Sequence, residues 1–108
     1  MTNSQNVLLV LVTSPSEEAA LHIANEIVER KLAACANLLK GVSSVFRWQG
    51  SIERADEVLL LIKTTYERYR TLEETIVSLH PYDTPEILAV SVTQGLKAYC
   101  DWVCAESK

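Results

Sequence analysis

The chain has 108 residues, 48% of them apolar and 22% charged, with a formal net charge of −4 at pH 7; this predicts one domain, residues 1–108, with a hydrophobic core. Its ten Lys and Arg residues are scattered, so the chain lacks the clustered basic surface that binding to nucleic acid requires. No apolar stretch reaches the roughly 18 residues that span a bilayer, and we expect no membrane partner either.

The first predicted elements are a strand and a helix. Val7 to Val12 form an unbroken apolar run, which is typical of a strand buried on both faces. Ser14 can cap the following helix, with Pro15 at the first helical position and Glu17 completing a capping box. The helix is expected to reach about Lys31 and to bury one stripe of side chains. That stripe comprises Ala20, Ile23, Ala24, Ile27 and Val28.

A long β-hairpin is predicted next. Ala34 to Trp48 and Ile52 to Thr65 show no helical period, and Gln49-Gly50-Ser51 forms a turn between them. A strand of some 15 residues spans roughly 50 Å, whereas a compact domain of this size is roughly 35 Å across. The hairpin should therefore overhang its own domain and expose apolar side chains and strand edges, which soluble monomers avoid. We expect a neighbouring copy to cover it; the alternative is a bulge at Gly41 that splits the first run into two short strands of a monomeric sheet.

A second helix, a fourth strand and a C-terminal helix complete the chain. Thr64 or Thr65 can cap the second helix, which Pro81 ends. The loop from Pro81 to Pro85 leads into a strand from Glu86 to Val92. The buried side of the second helix comprises Tyr69, Leu72, Ile76 and Leu79 or His80. The C-terminal helix places Leu96, Tyr99, Cys100, Val103 and Cys104 on one side.

This order of elements predicts an α+β, ferredoxin-like fold (βαββαβ plus a C-terminal helix), with two helices on one face of an antiparallel sheet. The other face must also be hidden if it is apolar. The uninterrupted runs Val7–Val12 and Val58–Ile62 indicate that it is apolar. Packing between subunits would hide this face, which is a second argument for an oligomer.

The cysteines and the N-terminus predict a cytoplasmic protein. The three cysteines are an odd number without CxxC spacing, so we expect reduced thiols. Met1 to Asn6 are polar and uncharged, unlike a signal peptide.

Few side chains in this sequence can support chemistry. His80 is expected to be a surface or helix-capping histidine; the alternative is a ligand or a residue of a binding cleft, because His80 precedes a rigid, proline-bounded loop and rigid loops place side chains where a site needs them. Cys35 lies between two alanines, so it is expected to be a core residue, with a thiolate metal ligand and a nucleophile paired with His80 as alternatives. The sequence contains no phosphate-binding loop, HExxH motif or EF-hand loop.

Five segments resemble those of a known family. They are Val12-Thr13-Ser14-Pro15, Leu32-Ala33-Ala34-Cys35-Ala36-Asn37, Trp48-Gln49-Gly50, Leu60-Leu61-Ile62-Lys63-Thr64 and His80-Pro81-Tyr82-Asp83-Thr84-Pro85-Glu86-Ile87. In order and spacing they resemble the divalent cation tolerance protein family, CutA, over roughly Val7 to Val103. The resemblance implies a ferredoxin-like subunit in a tight homotrimer, similar in architecture to the PII signalling proteins, whose long hairpins reach across to neighbouring subunits. It also implies a role in tolerance to divalent cations, copper above all.

The resemblance further implies a cleft between subunits. The cleft residues match Cys35, Trp48, Lys63, His80, Tyr82 and Glu86. In some family members the suggested cation ligands are a cysteine just before the threonine of the first motif and a pair of histidines before Pro-Tyr. This chain has Val12 in place of the cysteine and Leu79 in place of one histidine, so His80 is the one of the three ligands that remains. We therefore expect weak binding of copper or another divalent cation through His80 and Cys35, and Cys35 would add a soft thiolate that suits copper(I).

Three functions follow as hypotheses. The first is a cytosolic homotrimer that contributes to metal tolerance by weak binding, through sequestration or sensing. The alternative is a PII-like signalling or adaptor trimer whose clefts bind a protein partner or a small anion, with Lys63 attracting the anion and Trp48 or Tyr82 stacking on it. An enzyme using Cys35 with His80 is the least favoured, and we expect no catalysis.

Overall fold

The structure, a computed structural model, describes residues 6–108. Its strands are β1 (Val7–Ser14), β2 (Cys35–Trp48), β3 (Ser51–Thr65) and β4 (Ile87–Ser91). Its helices are α1 (Glu17–Glu29), α2 (Tyr69–Leu79) and α3 (Lys97–Glu106), and a single 3₁₀ turn (Tyr66–Arg68) precedes α2. The strands form one antiparallel sheet in the order β2-β3-β1-β4. The predicted α+β, ferredoxin-like order of elements is confirmed.

The main core lies between one face of the sheet and the helices α1 and α2. Successive residues of a strand point to opposite faces, and in β1 the residues Leu8, Val10 and Val12 face these helices. Each is buried, as are Leu60 and Ile62 of the paired strand β3. The continuous apolar run of β1 thus supplies this core with every second residue and gives the remaining residues to the opposite face.

The start of α1 differs from the prediction. Ser16, not Ser14, caps the helix, and its hydroxyl accepts a hydrogen bond from the Ala19 backbone N–H at 3.1 Å. Ser14 still belongs to β1, where it is paired with Val58 and fully buried. Val28 was also wrongly assigned to the buried stripe: it is largely exposed, while the other four predicted residues are buried.

The predicted threonine cap of α2 is also wrong. Thr65 makes no side-chain cap, and the hydroxyl of Thr64 donates instead to the Leu32 carbonyl at 2.6 Å inside the core. Thr64 therefore ties the end of β3 to the segment that connects α1 with β2. The backbone passes through the 3₁₀ turn before α2 begins.

The hairpin of β2 and β3 projects beyond the helices. The molecule measures 47 × 25 × 23 Å along its principal axes, and the predicted overhang is confirmed. The strand register shifts between Leu39 and Val42, with Gly41 at a φ of +79°. The bulge expected at Gly41 is therefore present, but β2 continues past it as one strand.

The overhang and the second face of the sheet leave apolar surface uncovered. On the hairpin, Val45, Phe46, Trp48 and Ile52 are exposed. On the sheet, Leu39, Leu88 and Val90 are exposed, next to the half-buried Leu9, Leu11, Leu59 and Leu61. The helix α3 covers only one end of this face, where Cys100 and Val103 pack with Val7 and Ala34. Among residues 6–108, no helix is both long enough and apolar enough to cross a membrane.

Candidate functional site

A pocket of about 800 Å³ opens where the hairpin leaves the rest of the sheet. It is lined by Thr13, Ser44, Val45, Phe46, Trp48, Glu53, Glu57 and the loop residues Tyr82, Asp83, Thr84, Pro85 and Glu86. Three of the predicted cleft residues, Trp48, Tyr82 and Glu86, therefore lie together. The other three, Cys35, Lys63 and His80, do not line this pocket.

His80 holds the loop that forms one wall of the pocket. Its backbone N–H still donates to the Ile76 carbonyl at the end of α2, but its own backbone is extended. The ring is buried, with Nε2 lying 2.7 Å from the Thr13 carbonyl and Nδ1 accepting the Tyr82 N–H at 3.1 Å. Because Nδ1 accepts, these partners assign the proton to Nε2, which donates to Thr13. The imidazole thus joins β1 to the loop and uses both ring nitrogens.

Glu57 is a buried carboxylate on the floor of the pocket. It is 8% exposed, and its Oε2 accepts a hydrogen bond from the Tyr82 hydroxyl at 3.0 Å. Burial raises the pKa of Tyr82 above its ordinary value, and the neighbouring Glu57 carboxylate raises it further. In the part of the chain that the structure describes, no Lys, Arg or His forms an ion pair with Glu57.

The charged side chains that line the pocket are all negative. Four carboxylates line it, from Glu53, Glu57, Asp83 and Glu86, whereas no Lys, Arg or His of residues 6–108 does so. A cleft lined by charge of one sign concentrates counter-ions. The pocket therefore attracts cations and repels anions.

Lys63 and Cys35 form a separate cluster, paired across β2 and β3. The Lys63 ammonium donates to the Asn37 side-chain oxygen and lies 3.9 Å from the Cys35 sulfur. Burial raises the pKa of Tyr99 of α3 above its ordinary value, and Cys35 raises it further. Lys63 lies six positions after Glu57 along β3, a distance of roughly 20 Å along the strand.

His80 and Cys35 are likewise apart. His80 is held at Thr13, whereas Cys35 lies in the row of Lys63 and Leu9, four residues away along β1. That separation is roughly 13 Å along the strand. One subunit therefore does not bring the two predicted metal ligands together, and the sequence offered no measure of this distance.

The donors present do not form a ready-made metal site. Within residues 6–108 no group of three or more His, Cys, Asp or Glu side chains is arranged to hold a metal ion. Val12 is fully buried in the main core and Leu79 packs against it, so neither position supplies a donor. The roles of His80 as a loop clamp and of Glu57 as a buried pocket carboxylate were both missed at the sequence level. The signal that could have indicated the buried carboxylate is the position of Glu57 directly before the apolar run Val58–Ile62.

Comparison with known proteins gives one family. The CutA1 divalent ion tolerance protein family matches residues 8–106. A "Divalent-cation tolerance protein CutA" from Thermus thermophilus is 46% identical over 95 residues, covering 88% of this chain and 92% of the relative. "Protein CutA" from mouse and the chloroplastic one from Arabidopsis thaliana are 42% and 41% identical over 91% and 89% of this chain. The chain spans about half the length of these two relatives, 55% and 53%.

Solved structures agree with this result. The divalent cation tolerance protein (Cut A1) from Thermus thermophilus has a TM-score of 0.93 at 43% identity, covering 94% of this chain and 99% of its own. CutA1 from rice (Oryza sativa) has a TM-score of 0.94 at 34% identity, and the match covers 99% of this chain and 98% of the rice chain. The periplasmic divalent cation tolerance protein CutA from Archaeoglobus fulgidus has a TM-score of 0.91 at 35% identity. The match covers 94% of this chain and 99% of the Archaeoglobus chain.

The contact between Tyr82 and Glu57 can be tested by titration. In the folded protein the pKa of Tyr82 is raised above 10.0, so this phenol contributes stability at pH values below about 10, and that stability is lost as the pH rises through the folded pKa. Glu57→Gln removes the carboxylate charge and should lower the pKa of Tyr82, although the larger effect of burial remains. The measurement is the ultraviolet absorbance of tyrosinate against pH, with Tyr82→Phe as the background. An unchanged Tyr82 titration in Glu57→Gln would contradict the geometry.

Proposed function

This chain belongs to the CutA1 divalent ion tolerance family, and we propose that it functions in divalent cation tolerance as a homotrimer that binds metal ions weakly, without catalysis. The single observation that carries this proposal is the acidic pocket: four carboxylates and no basic side chain of the described residues line it. Such a pocket raises the local concentration of cations. It supports sequestration or sensing of divalent cations.

Weak binding follows from the arrangement of the donors. The carboxylates that line the pocket are spread around it, and no three metal-ligating side chains of residues 6–108 converge. Carboxylate oxygens suit Mg²⁺, Ca²⁺ and Mn²⁺ better than copper. A site with few, loosely placed oxygen ligands is expected to be undemanding about ion size and low in affinity.

Copper binding through His80 and Cys35 stays a prediction. The His80 ring would have to release the Thr13 carbonyl or the Tyr82 N–H before a nitrogen could bind a metal ion. Cys35 would act at the separate Lys63 cluster and supply a soft thiolate there. Each subunit would then contribute one donor at each place, which predicts weak copper binding.

The homotrimer is supported by the uncovered apolar surface. Large apolar side chains are exposed on the hairpin, among them Phe46 and Trp48, and on the sheet, among them Leu88 and Val90. Large exposed apolar side chains in such number mark an interaction surface rather than the surface of a soluble monomer. Burial against further copies of the chain would remove it, and the number three rests on the resemblance to the family.

The alternative function, an adaptor trimer that binds a small anion, has less support. Lys63 is the cation that would attract the anion, and it lies outside the pocket that holds Trp48 and Tyr82. Within one subunit the aromatic side chains face carboxylates instead. A protein partner remains a candidate occupant of the uncovered surface.

A cytoplasmic location is part of the proposal. It rests on three cysteines that form no disulfide bond within residues 6–108, as is usual in a reducing compartment. Among the relatives, one is described as chloroplastic and one as periplasmic.

Metal binding at the pocket can be tested by calorimetric titration. We expect Ca²⁺ and Mn²⁺ to bind with dissociation constants of roughly 10⁻⁴ M or weaker. The double variant Glu53→Gln/Glu86→Gln should lose most of this affinity. The matched control is Glu18→Gln/Glu74→Gln, which removes two carboxylates from the helices that are exposed like those of Glu53 and Glu86. Equal losses in both double variants would mean that the overall charge, and not the pocket, attracts the ions.

The copper arm of the same titration uses His80→Ala and Cys35→Ser. The proposal expects weak copper(II) binding that falls in His80→Ala and weak copper(I) binding that falls in Cys35→Ser. Circular dichroism checks that His80→Ala is folded, since this change also removes the loop clamp. Copper affinity unchanged in both variants would contradict these two residues as ligands.

The oligomer can be tested with Trp48→Asp. This position is 55% exposed in the single chain, so an aspartate there should be harmless to a monomer. In a packed interface it becomes an unpaired buried charge, which strongly destabilises association. We expect the variant to dissociate in size-exclusion chromatography, while Leu21→Asp, at a similarly exposed position of α1, leaves the assembly intact. A variant Trp48→Asp that remains fully assembled would contradict burial of the hairpin tip.

A further inference from the structure

The uncovered face of the sheet carries negative charge at one end and positive charge at the other. Successive residues of a strand point to opposite faces, and Leu60 of β3 packs in the main core. Glu57 and Lys63 each lie an odd number of positions from Leu60, so both belong to the uncovered face. The residue added at the bulge lies in β2, so the alternation along β3 is continuous. The face therefore has an acidic end at the pocket and a basic end at Lys63.

The surface between these two ends is apolar. Its side chains are half-buried or exposed. They are Leu59 and Leu61 of β3, with Leu9, Leu11, Leu88 and Val90 beside them on β1 and β4. A second copy of the chain that covers this face would bury them. Packing two such faces with opposite ends together brings opposite charges into contact, whereas packing like ends together brings like charges into contact, which is unfavourable.

Glu57 carries a charge that residues 6–108 leave unpaired. The side chain is more than nine-tenths buried, and one of its oxygens accepts the Tyr82 hydroxyl. No basic side chain of the described residues forms an ion pair with it. A buried charge is costly unless it is paired, and a copy that covers the face would exclude the water that still reaches this carboxylate. The interface thus requires a cation at the acidic end.

Lys63 is the basic side chain in a position to supply that cation. It contacts the Asn37 side-chain oxygen and the Cys35 sulfur, and no carboxylate of residues 6–108 forms an ion pair with it. It lies roughly 20 Å from Glu57 along β3, so the two do not pair within one chain. The two unpaired charges of the face can therefore meet only between chains.

The other basic side chains on the strands lie on the opposite face of the sheet. Arg54 is an odd number of positions from Glu57 along β3, and so is the residue that pairs with Arg47. Lys40 lies 3.7 Å from the Glu17 carboxylate of α1, on the helix side. Among the strand residues that the structure describes, Lys63 is thus the basic side chain that shares the uncovered face with Glu57.

We propose that Glu57 pairs with Lys63 of the partner subunit, so that each pocket is completed by an ammonium group from a neighbouring copy. In a closed ring every chain gives its Lys63 to one neighbour and its Glu57 to the other. This inference rests on the proposed homotrimer and names the contact that fixes how its faces align. Glu53, Asp83 and Glu86 take no part in the pair, and they keep the attraction for metal ions at the edge of the pocket.

A double-mutant cycle of charge reversals tests the pair. The variants are Glu57→Lys, Lys63→Glu and the two changes combined in one chain, and the dissociation of each assembly is measured by sedimentation equilibrium. Each single variant brings like charges together and should weaken association on the order of 100-fold. The combined variant restores opposite charges and should recover most of that loss. Within one chain the two positions are too far apart to couple, so recovery reports a contact between chains.

Matched controls make the recovery specific. Arg70→Glu/Glu74→Lys makes the same two reversals at exposed positions of α2 and should leave association unchanged. Glu57→Lys combined with Arg54→Glu reverses a cation of the opposite face and should not recover the loss. Circular dichroism verifies that each variant is folded.

A second cycle uses neutral side chains, in case a reversed charge prevents folding. Its variants are Glu57→Gln, Lys63→Met and their combination. Each single change leaves one charge buried without its partner, which weakens association. The combination removes both charges, so it should lose no more than the weaker of the two single variants.

Three results would overturn the proposal. They are losses that simply add in both cycles, a Lys63→Glu variant that associates as the unmodified protein does, and recovery of Glu57→Lys by Arg54→Glu instead of Lys63→Glu. An unmodified protein that sediments as one chain would remove the homotrimer and this pair together. A trimer whose variants show additive losses would remove the pair alone, so the two failures are distinguishable.

Discussion

Strands β2 and β3 continue pairing with each other well beyond the point where the helices end. Their ladder runs from Cys35 paired with Lys63 to Trp48 paired with Ser51, whereas β1 pairs with β3 only as far as Val58. Past that point no third strand formed by residues 6–108 lies beside the hairpin. The exposed apolar side chains, the open strand edges and the pocket at the base of the hairpin all follow from this one excess of length. A structure built this way needs a partner surface, and further copies of the chain are the simplest source of it.

The pocket depends on the same arrangement. The floor comes from β3 at Glu57, one wall comes from the hairpin at Trp48, and the other wall is the loop that follows α2. His80 sets the position of that loop through its hydrogen bonds to Thr13 and Tyr82. Tyr82 then reaches Glu57. A buried carboxylate, an aromatic pair and an acidic rim are thereby placed together by residues far apart in the chain, and their common property is attraction for positive charge.

Much of the fold was predictable because its signals are local. The apolar runs of β1 and β3, the helical spacing of Ile23 and Ile27, and the turn at Gly50 specify the elements and their order. The overhang was predictable too, because strand length is a matter of counting residues. Ser14 and Ser16 were harder to separate: both can cap a helix, and only the pairing of Ser14 with Val58 decides between them. Thr64 was misjudged for a similar reason, since its hydrogen bond goes to the distant Leu32 carbonyl.

The site was less predictable because it depends on distances between elements. Trp48, Tyr82 and Glu86, which the resemblance to the family places in a cleft between subunits, line one pocket of the single chain, whereas Lys63 and Cys35 lie in a different row of the sheet. His80 was chosen for its chemistry, and the structure uses both of its nitrogens to hold a loop. Glu57 was not considered, because its burial and its lack of a cation are visible only once the hairpin, β1 and the loop have been brought together.

We propose that copies of this chain cover the hairpin and the uncovered face of the sheet. Sedimentation equilibrium of the unmodified protein over a wide dilution series tests it most directly. We expect a mass of about three times the 12.1 kDa of one chain that persists on dilution, because association would bury the exposed apolar side chains of the hairpin and the sheet. A mass of one chain at every concentration would contradict it, and it would mean that a soluble monomer tolerates the exposed tryptophan, phenylalanine and valine of its hairpin.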